Sequence, residues 1–278
     1  MYEILTKEAL APVVKMMVIS APDVARKAKA GQFVIVRPSE EGERIPLTVA
    51  DYDRDEGTIT IVFQEVGKTT LHLGTMKVGD ELASLTGPLG VPSEIKDYGT
   101  VICGAGGLCI ALVFPIARAL REAGNYVINI IGARNKELIF WEDRMRSVSD
   151  ELIVCTDDGS YGRKGFVVDP LKELLETRGG IDHIWVIGPA IMMKFTALAT
   201  KPFNVPTTVS LNSIMVDGTG MCGSCRCEVG GETKFACVHG PEFDGHQVDW
   251  DLLLARQRIY LDEEKQSLEL FEKRQGAH

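Results

Sequence analysis

TVICGAG (100–106) runs through Gly107 straight into LCIALVFPIARALREAG (108–124). The first segment is short, apolar and ends on glycines, as a buried strand entering a tight turn does. The second repeats its apolar residues at helical spacing and stops at Gly124, a residue suited to a helix end. Downstream the alternation continues. YVINIIGA (126–133) is followed by a charged helical stretch around Lys136 to Ser147, then ELIVCTDD (151–158), PLKELLETRGG (170–180), HIWVIGP (183–189) and a helix from about Ile191. Strands alternating with helices predict a parallel α/β sheet built from right-handed crossovers.

Upstream the texture differs. VVKMMVIS (13–20), QFVIVRP (32–38), PLTVADY (46–52) and TITIVFQEV (58–66) are rich in Val, Ile and Thr and are bounded by Gly, Pro or charged residues. Such spacing predicts an antiparallel β-barrel. After about Val209 glycine and cysteine take over until Gly245, and the stretch from Trp250 to Arg274 reads as one or two helices. The expected organisation is a barrel at 1–97, an α/β parallel-sheet domain at 98–208, a cysteine-rich lobe at 209–248 and a helical tail at 249–278. A chain of 278 residues is long enough for two ordinary domains and a small appendage.

The net charge of −9 argues against a nucleic-acid or anionic-membrane surface, either of which needs a basic face. No run approaches the roughly 18 apolar residues that span a bilayer. MYEILTKEAL at the N-terminus is too charged for a secretory signal. The expected compartment is the cytoplasm, where clustered cysteines bind metal more often than they pair. Of seven cysteines, four fall between Cys222 and Cys237; Cys103, Cys109 and Cys155 read as small core residues.

The cluster of four sits in Asp217-Gly-Thr-Gly-Met-Cys222-Gly-Ser-Cys225-Arg-Cys227, followed by Cys237. Iron–sulfur clusters take thiolates from loops of small residues whose amides can face the sulfides. The plant-type spacing is C-x4-C-x2-C with a distant fourth ligand. With Cys222 and Cys225 in second and third place and Cys237 in fourth, Asp217 falls in first place. Two other sets fit the composition. Cys227 could replace Asp217, at the cost of crowding three ligands into six residues. Zinc could be held by Cys222, Cys225, Cys237 and either Cys227 or His239.

Gly104-Ala-Gly-Gly107, Gly132-Ala-Arg134, Thr156-Asp-Asp-Gly-Ser160 and Gly188-Pro189 all stand where an α/β sheet presents its carboxyl edge. Dinucleotides bind at that edge. Arg134 there could meet a 2′-phosphate, whereas Met192 and Met193 read as helix packing. In the barrel, Arg44-Ile-Pro-Leu-Thr48 and Gly67-Lys-Thr-Thr70 offer a guanidinium, hydroxyls and amides to a flavin and its diphosphate.

In this order the segments RIPLT, VGKTT, CGAGG, TDDGSYGRKG and DGTGMCGSC resemble the ferredoxin–NADP reductase superfamily. The branch is that of the dihydroorotate dehydrogenase B electron-transfer subunits and of the small subunits of NADH-dependent reduced ferredoxin:NADP oxidoreductases. The resemblance covers essentially the whole chain. It implies a flavin barrel, a nicotinamide-nucleotide domain and a [2Fe-2S] lobe, with FAD, NAD(H) and the cluster as cofactors. By motif, Pro46, Leu47, Thr48, Gly67, Thr69 and Thr70 would bind FAD, while Gly104, Gly106, Gly107, Asp157 and Asp158 would line the nucleotide site. Three positions depart from the pattern. Arg44 stands four residues before Thr48 rather than three, Ile187 stands where a cysteine often precedes the Gly-Pro turn, and Asp217 stands where orotate-linked subunits have a fourth cysteine. The implied partner is a larger flavoprotein with [4Fe-4S] clusters, resembling the glutamate synthase small chain, with ferredoxin engaged through it. A non-catalytic zinc or redox-sensing nucleotide-binding module is the rival expectation.

Overall fold

The computed structural model describes residues 2–275. The N-terminal part forms seven strands and two helices: β1 (Tyr2–Ala11), β2 (Val14–Ser20), α1 (Pro22–Ala25), β3 (Phe33–Arg37), β4 (Ile45–Asp53), β5 (Thr58–Gln64), α2 (Lys68–Thr75), β6 (Glu81–Leu82) and β7 (Ser84–Leu89). They pair antiparallel in the order β6-β1-β2-β5-β4-β3-β7. The edge strands β6 and β7 are separated in the chain by Ala83 alone, so the sheet nearly closes into a barrel. Ile4, Met17, Ile19, Val34, Val36, Val49, Ile59, Ile61 and Phe63 fill it. Alternation explains the choice, since every second side chain of a strand faces the interior.

β3 departs from that alternation, because both of its faces are buried. Val34 and Val36 enter the barrel core, whereas Phe33 and Ile35 point outward into a second core shared with Cys225, Cys227 and Cys237. An unbroken apolar run such as FVIV is what a strand covered on both sides requires.

Next come β8 (Thr100–Gly106), α3 (Ile110–Glu122), β9 (Tyr126–Ala133), α4 (Glu142–Ser147), β10 (Glu151–Thr156), β11 (Arg163–Lys164), α5 (Val168–Thr177), β12 (His183–Ile187), α6 (Ala190–Thr200) and β13 (Thr207–Ser210). Beyond them lie the hairpin β14 (Arg226–Val229) and β15 (Glu232–Phe235), α7 (Ala236–His239), β16 (Glu242–Asp244), α8 (Trp250–Arg256) and α9 (Leu261–Gln275). The second sheet has the order β11-β10-β9-β8-β12-β13-β16, parallel throughout except for antiparallel β16. β9 and β10 lie to one side of β8, and β12 and β13 to the other, so the order reverses between β8 and β12. Ligands of open α/β sheets bind at the carboxyl end of that reversal.

The cysteine-rich lobe is more deeply embedded than a simple division at residue 208 suggests. It emerges after β13 and returns as β16 on the edge of the same sheet. Two features lack a clear mark in the sequence. β1 alternates irregularly, with shifts in register at Ile4/Thr6 and Ala9/Ala11. The stretch after Lys136 contains only a single turn and the six-residue α4.

Candidate flavin, nucleotide and cluster sites

The strand β4 carries Pro46, Leu47 and Thr48 opposite Ile35, Val34 and Phe33 of β3. Arg44 precedes β4 and is exposed. Gly67 caps α2 in extended conformation, and the Thr69 and Lys68 side chains reach Glu43: the Thr69 hydroxyl donates to Glu43 Oε2 at 2.7 Å and Lys68 Nζ to Oε1 at 3.0 Å. Burial alone would raise the Glu43 carboxyl, but these bonds hold it below the usual carboxylate range. The start of α2 therefore already receives an anionic group from outside the helix. The same donors suit a flavin diphosphate. Lys68 and Glu43 carry no mark in the sequence as partners, since only the fold brings residue 43 to residues 68 and 69. Thr70 plays another part. Its hydroxyl accepts from the amides of Gly67 (3.0 Å) and Val66 (3.1 Å), which caps the helix.

At the sheet reversal, Gly106 ends β8 and Gly188 follows β12. A Cβ on Gly106 would meet Met192 Sδ at 2.7 Å, and one on Gly188 would meet Met192 Cε at 2.2 Å. Met192 packs against the core from α6, as expected, and its thioether also lies beside the two turns; Met193 is buried in the same core. Gly107 has φ +58 and no atom near its missing Cβ, so this turn needs glycine and stays open to a ligand. Gly104 serves packing, with Val167 and Val186 at 3.2 and 3.4 Å from the place of a Cβ. Ile187 is buried at the end of β12. Farther along the edge, the Asp157 and Asp158 amides donate to the carbonyls of Ala133 and Arg134 at 3.0 and 3.2 Å, joining the two loops. Arg134, Asp157 and Asp158 are exposed there. Hydrogen bonding from Ser160 holds the Asp158 carboxyl below its ordinary range. A cavity of about 410 Å³ lined by Lys136, Phe140, Trp141 and Tyr161 opens beside them.

In the lobe, both carboxylate oxygens of Asp217 accept backbone amides of the loop, Oδ1 from Thr219 at 2.8 Å and Oδ2 from Cys222 at 2.9 Å. These amides hold Asp217 below the carboxylate range, and hydrogen bonds from Ser224 lower the exposed Cys222 thiol. Cys225 and Cys237 form a second pair, their sulfurs 3.2 Å apart; burial pushes the Cys237 thiol up to about 12. The structure thus brings the Cys225 and Cys237 sulfurs together and ties Asp217 to the backbone of Cys222; a [2Fe-2S] cluster needs two protein ligands on each iron. The Cys227 thiol faces the Lys234 carbonyl within the hairpin at 3.7 Å, and His239 Nδ1 accepts the Phe235 amide at 2.9 Å. The Asp217 loop rests directly on the barrel: a Cβ on Gly218 would meet Ile35 and Leu89, each at 2.8 Å.

An antiparallel barrel followed by an α/β sheet with this reversal is the fold of the ferredoxin reductases. Phthalate dioxygenase reductase shares it, with a TM-score of 0.58 at 18% identity over 82% of this chain and 85% of that one. Residues 212–249 match the iron–sulfur cluster binding domain of dihydroorotate dehydrogenase B. A Thermotoga maritima homologue of the dihydroorotate dehydrogenase B (NAD(+)) electron transfer subunit is 50% identical over 99% of this chain and 96% of its own length. The Desulforamulus reducens electron transfer subunit is 34% identical over 90% and 97%. A chain from the NADH-dependent reduced ferredoxin–NADP oxidoreductase structure, solved for insight into flavin-based electron bifurcation, superimposes with a TM-score of 0.93 at 49% identity, covering 98% of both. The chain belongs to the family of dihydroorotate dehydrogenase B-type electron-transfer subunits.

Proposed function

We propose that this chain is the subunit that moves electrons between NAD(H), FAD and a [2Fe-2S] cluster within an electron-bifurcating, NADH-dependent ferredoxin:NADP oxidoreductase. The observation that carries the reading is the seating of the Asp217 loop on Ile35 and Leu89, because Ile35 is paired with Pro46 of the flavin strand. Bound flavin supplies exchange between hydride and single electrons, and the cluster carries electrons singly. The chain's own residues supply position. Lys68 and Thr69 hold the flavin diphosphate, with Gly67 giving it room, and Pro46 to Thr48 back the ring. Gly106 and Gly107 admit the nicotinamide nucleotide at the sheet reversal, while Arg134, Asp157 and Asp158 meet its far end. Asp217, Cys222, Cys225 and Cys237 hold the cluster.

The partner is a larger flavoprotein carrying [4Fe-4S] clusters, and ferredoxin engages through it. Met221, Val216 and Val238 are exposed beside the cluster loop, an apolar patch against which such a subunit could approach. The test is anaerobic titration of the purified protein with NADH. Bleaching of flavin absorption followed by the EPR signal of a reduced [2Fe-2S] cluster is expected. A colourless, zinc-loaded protein would refute the reading.

A further inference from the structure

A half-buried carboxylate outside these sites joins all three modules. Glu242 opens β16, where it pairs with Ser210 of β13. The Ser93 hydroxyl donates to its Oε1 at 2.6 Å and the Trp185 indole N–H to its Oε2 at 3.3 Å. Ser93 lies in the connection between barrel and α/β domain, and its amide donates to the Ala30 carbonyl at 2.9 Å. Trp185 belongs to β12. The barrel backbone presses on this junction, since a Cβ on Gly31 would fall 2.2 Å from Ser93 Oγ and 2.9 Å from Glu242 Oε1.

The neighbouring residues continue the seam. The Val91 amide donates to the Gly240 carbonyl at 2.6 Å and the Leu211 amide to the Pro241 carbonyl at 2.9 Å. A Cβ on Gly90 would meet Phe33 Cε1 and Pro241 Cδ, each at 2.9 Å, and Phe33 pairs with Thr48 of the flavin strand. Cys237 precedes Gly240 by three residues. Any shift of Gly240–Glu242 against the barrel therefore changes the separation of Cys237 from the flavin strand, and electron-transfer rates fall steeply with separation.

We propose that Glu242 is a positioning residue, locking the cluster lobe to the flavin barrel through Ser93 and thereby setting the rate of electron transfer between flavin and cluster. The role rests on the functional reading above. The groups facing this junction are Glu94, Lys96 and Tyr98 from the connection, Cys103 from β8, His183 from β12 and Asp244 from β16 itself. Lys96 is engaged by Glu94 at 2.7 Å, so Glu242 is held by neutral donors. Burial pushes its carboxyl up to about 7. Ionised it accepts from both donors; protonated it gives up acceptor capacity, which weakens the lock.

Stopped-flow reduction by NADH tests this with the full chain, comparing wild type with Glu242→Ala, Ser93→Ala and Glu242→Gln. Glu242→Ala and Ser93→Ala should retain flavin, cluster and the NADH-to-flavin step but slow cluster reduction about tenfold. Hydrogen exchange of the Val91 and Leu211 amides should rise with it. Glu242→Gln keeps the volume and an acceptor for Ser93. It should keep most of the rate and lack the pH dependence of cluster reduction that is expected of wild type around neutrality. Cluster reduction at the wild-type rate in fully loaded Glu242→Ala overturns the proposal; if that variant does not fold, the same result in Ser93→Ala does. Equal slowing of both steps, or a glutamine variant as slow as alanine, also overturns it. Wild-type protein whose flavin stays oxidised under NADH refutes the functional reading too, whereas unchanged amide exchange in the variants refutes the lock alone.

Discussion

Asp217 illustrates how far single residues could be read. Spacing alone put it in line with Cys222, Cys225 and Cys237, because ligand order along a loop is a one-dimensional property. The fold adds that its carboxylate organises the loop by accepting the Thr219 and Cys222 amides, and that Cys227 is turned toward its own hairpin. Asp217→Ala should lower cluster content or change its EPR signal, whereas Cys227→Ser should leave both intact; iron and sulfide analysis with EPR checks the pair. The opposite pattern would assign the ligand to Cys227. The contacts of Glu43 with Thr69 and of Met192 with the Gly106 and Gly188 turns were not legible, for a common physical reason. Each residue gains its position from residues distant in sequence or across the sheet, and nothing in its local sequence records that neighbour.

Elements were legible in proportion to their periodicity. β3, β4 and β5 fall within one or two residues of their expected limits, as does the β8–α3 unit, because their apolar residues recur at a fixed interval. α2 has no helical periodicity in the sequence, which shows there only a glycine-threonine loop. Its eight residues include Thr69, Thr70, Gly74 and Thr75, poor helix formers, and Leu73 in the barrel core with the Thr70 cap sustains it. Thr70→Ala should therefore cost roughly 1 kcal/mol and weaken FAD binding through the disordered start of the helix. Urea denaturation and flavin titration measure the two effects. α9 returns to this element, with Phe271 against His72 at 6.1 Å between ring centres.

At the scale of the molecule, the two large modules are clamped together. Asp51 of β4 receives Arg118 of α3 at 2.8 Å and also Arg144 of α4, and Arg144 lies 4.1 Å from the centre of the Trp141 ring. The junction of modules also governs the response to pH. The His183 ring lies tilted against those of Trp185 and Tyr98, with centres 4.0 and 4.7 Å away, and burial depresses its pKa to about 4. The unfolded chain then takes up this proton first, so the contribution of His183 is lost as pH falls from about 6.5 to about 4. Glu242, raised to about 7, works in the opposite sense: its contribution is lost as pH rises from about 4.5 through 7. The two slopes oppose one another in wild type. Glu242→Gln removes one of them, so its melting temperature should rise more steeply with pH between about 4 and 6.5 than that of wild type, as thermal melts across that range would show. The amino-acid sequence by itself determined the barrel, the α/β unit, the edge where ligands bind and the ligand spacing of the lobe, because each is written in local periodicity or in the interval between residues. Only the tertiary structure decided that β16 ties the lobe into the nucleotide sheet, that β3 is buried on both faces, and that Glu242 meets Ser93 and Trp185. Those contacts join residues far apart in the chain, and burial and pKa follow from the packing around them.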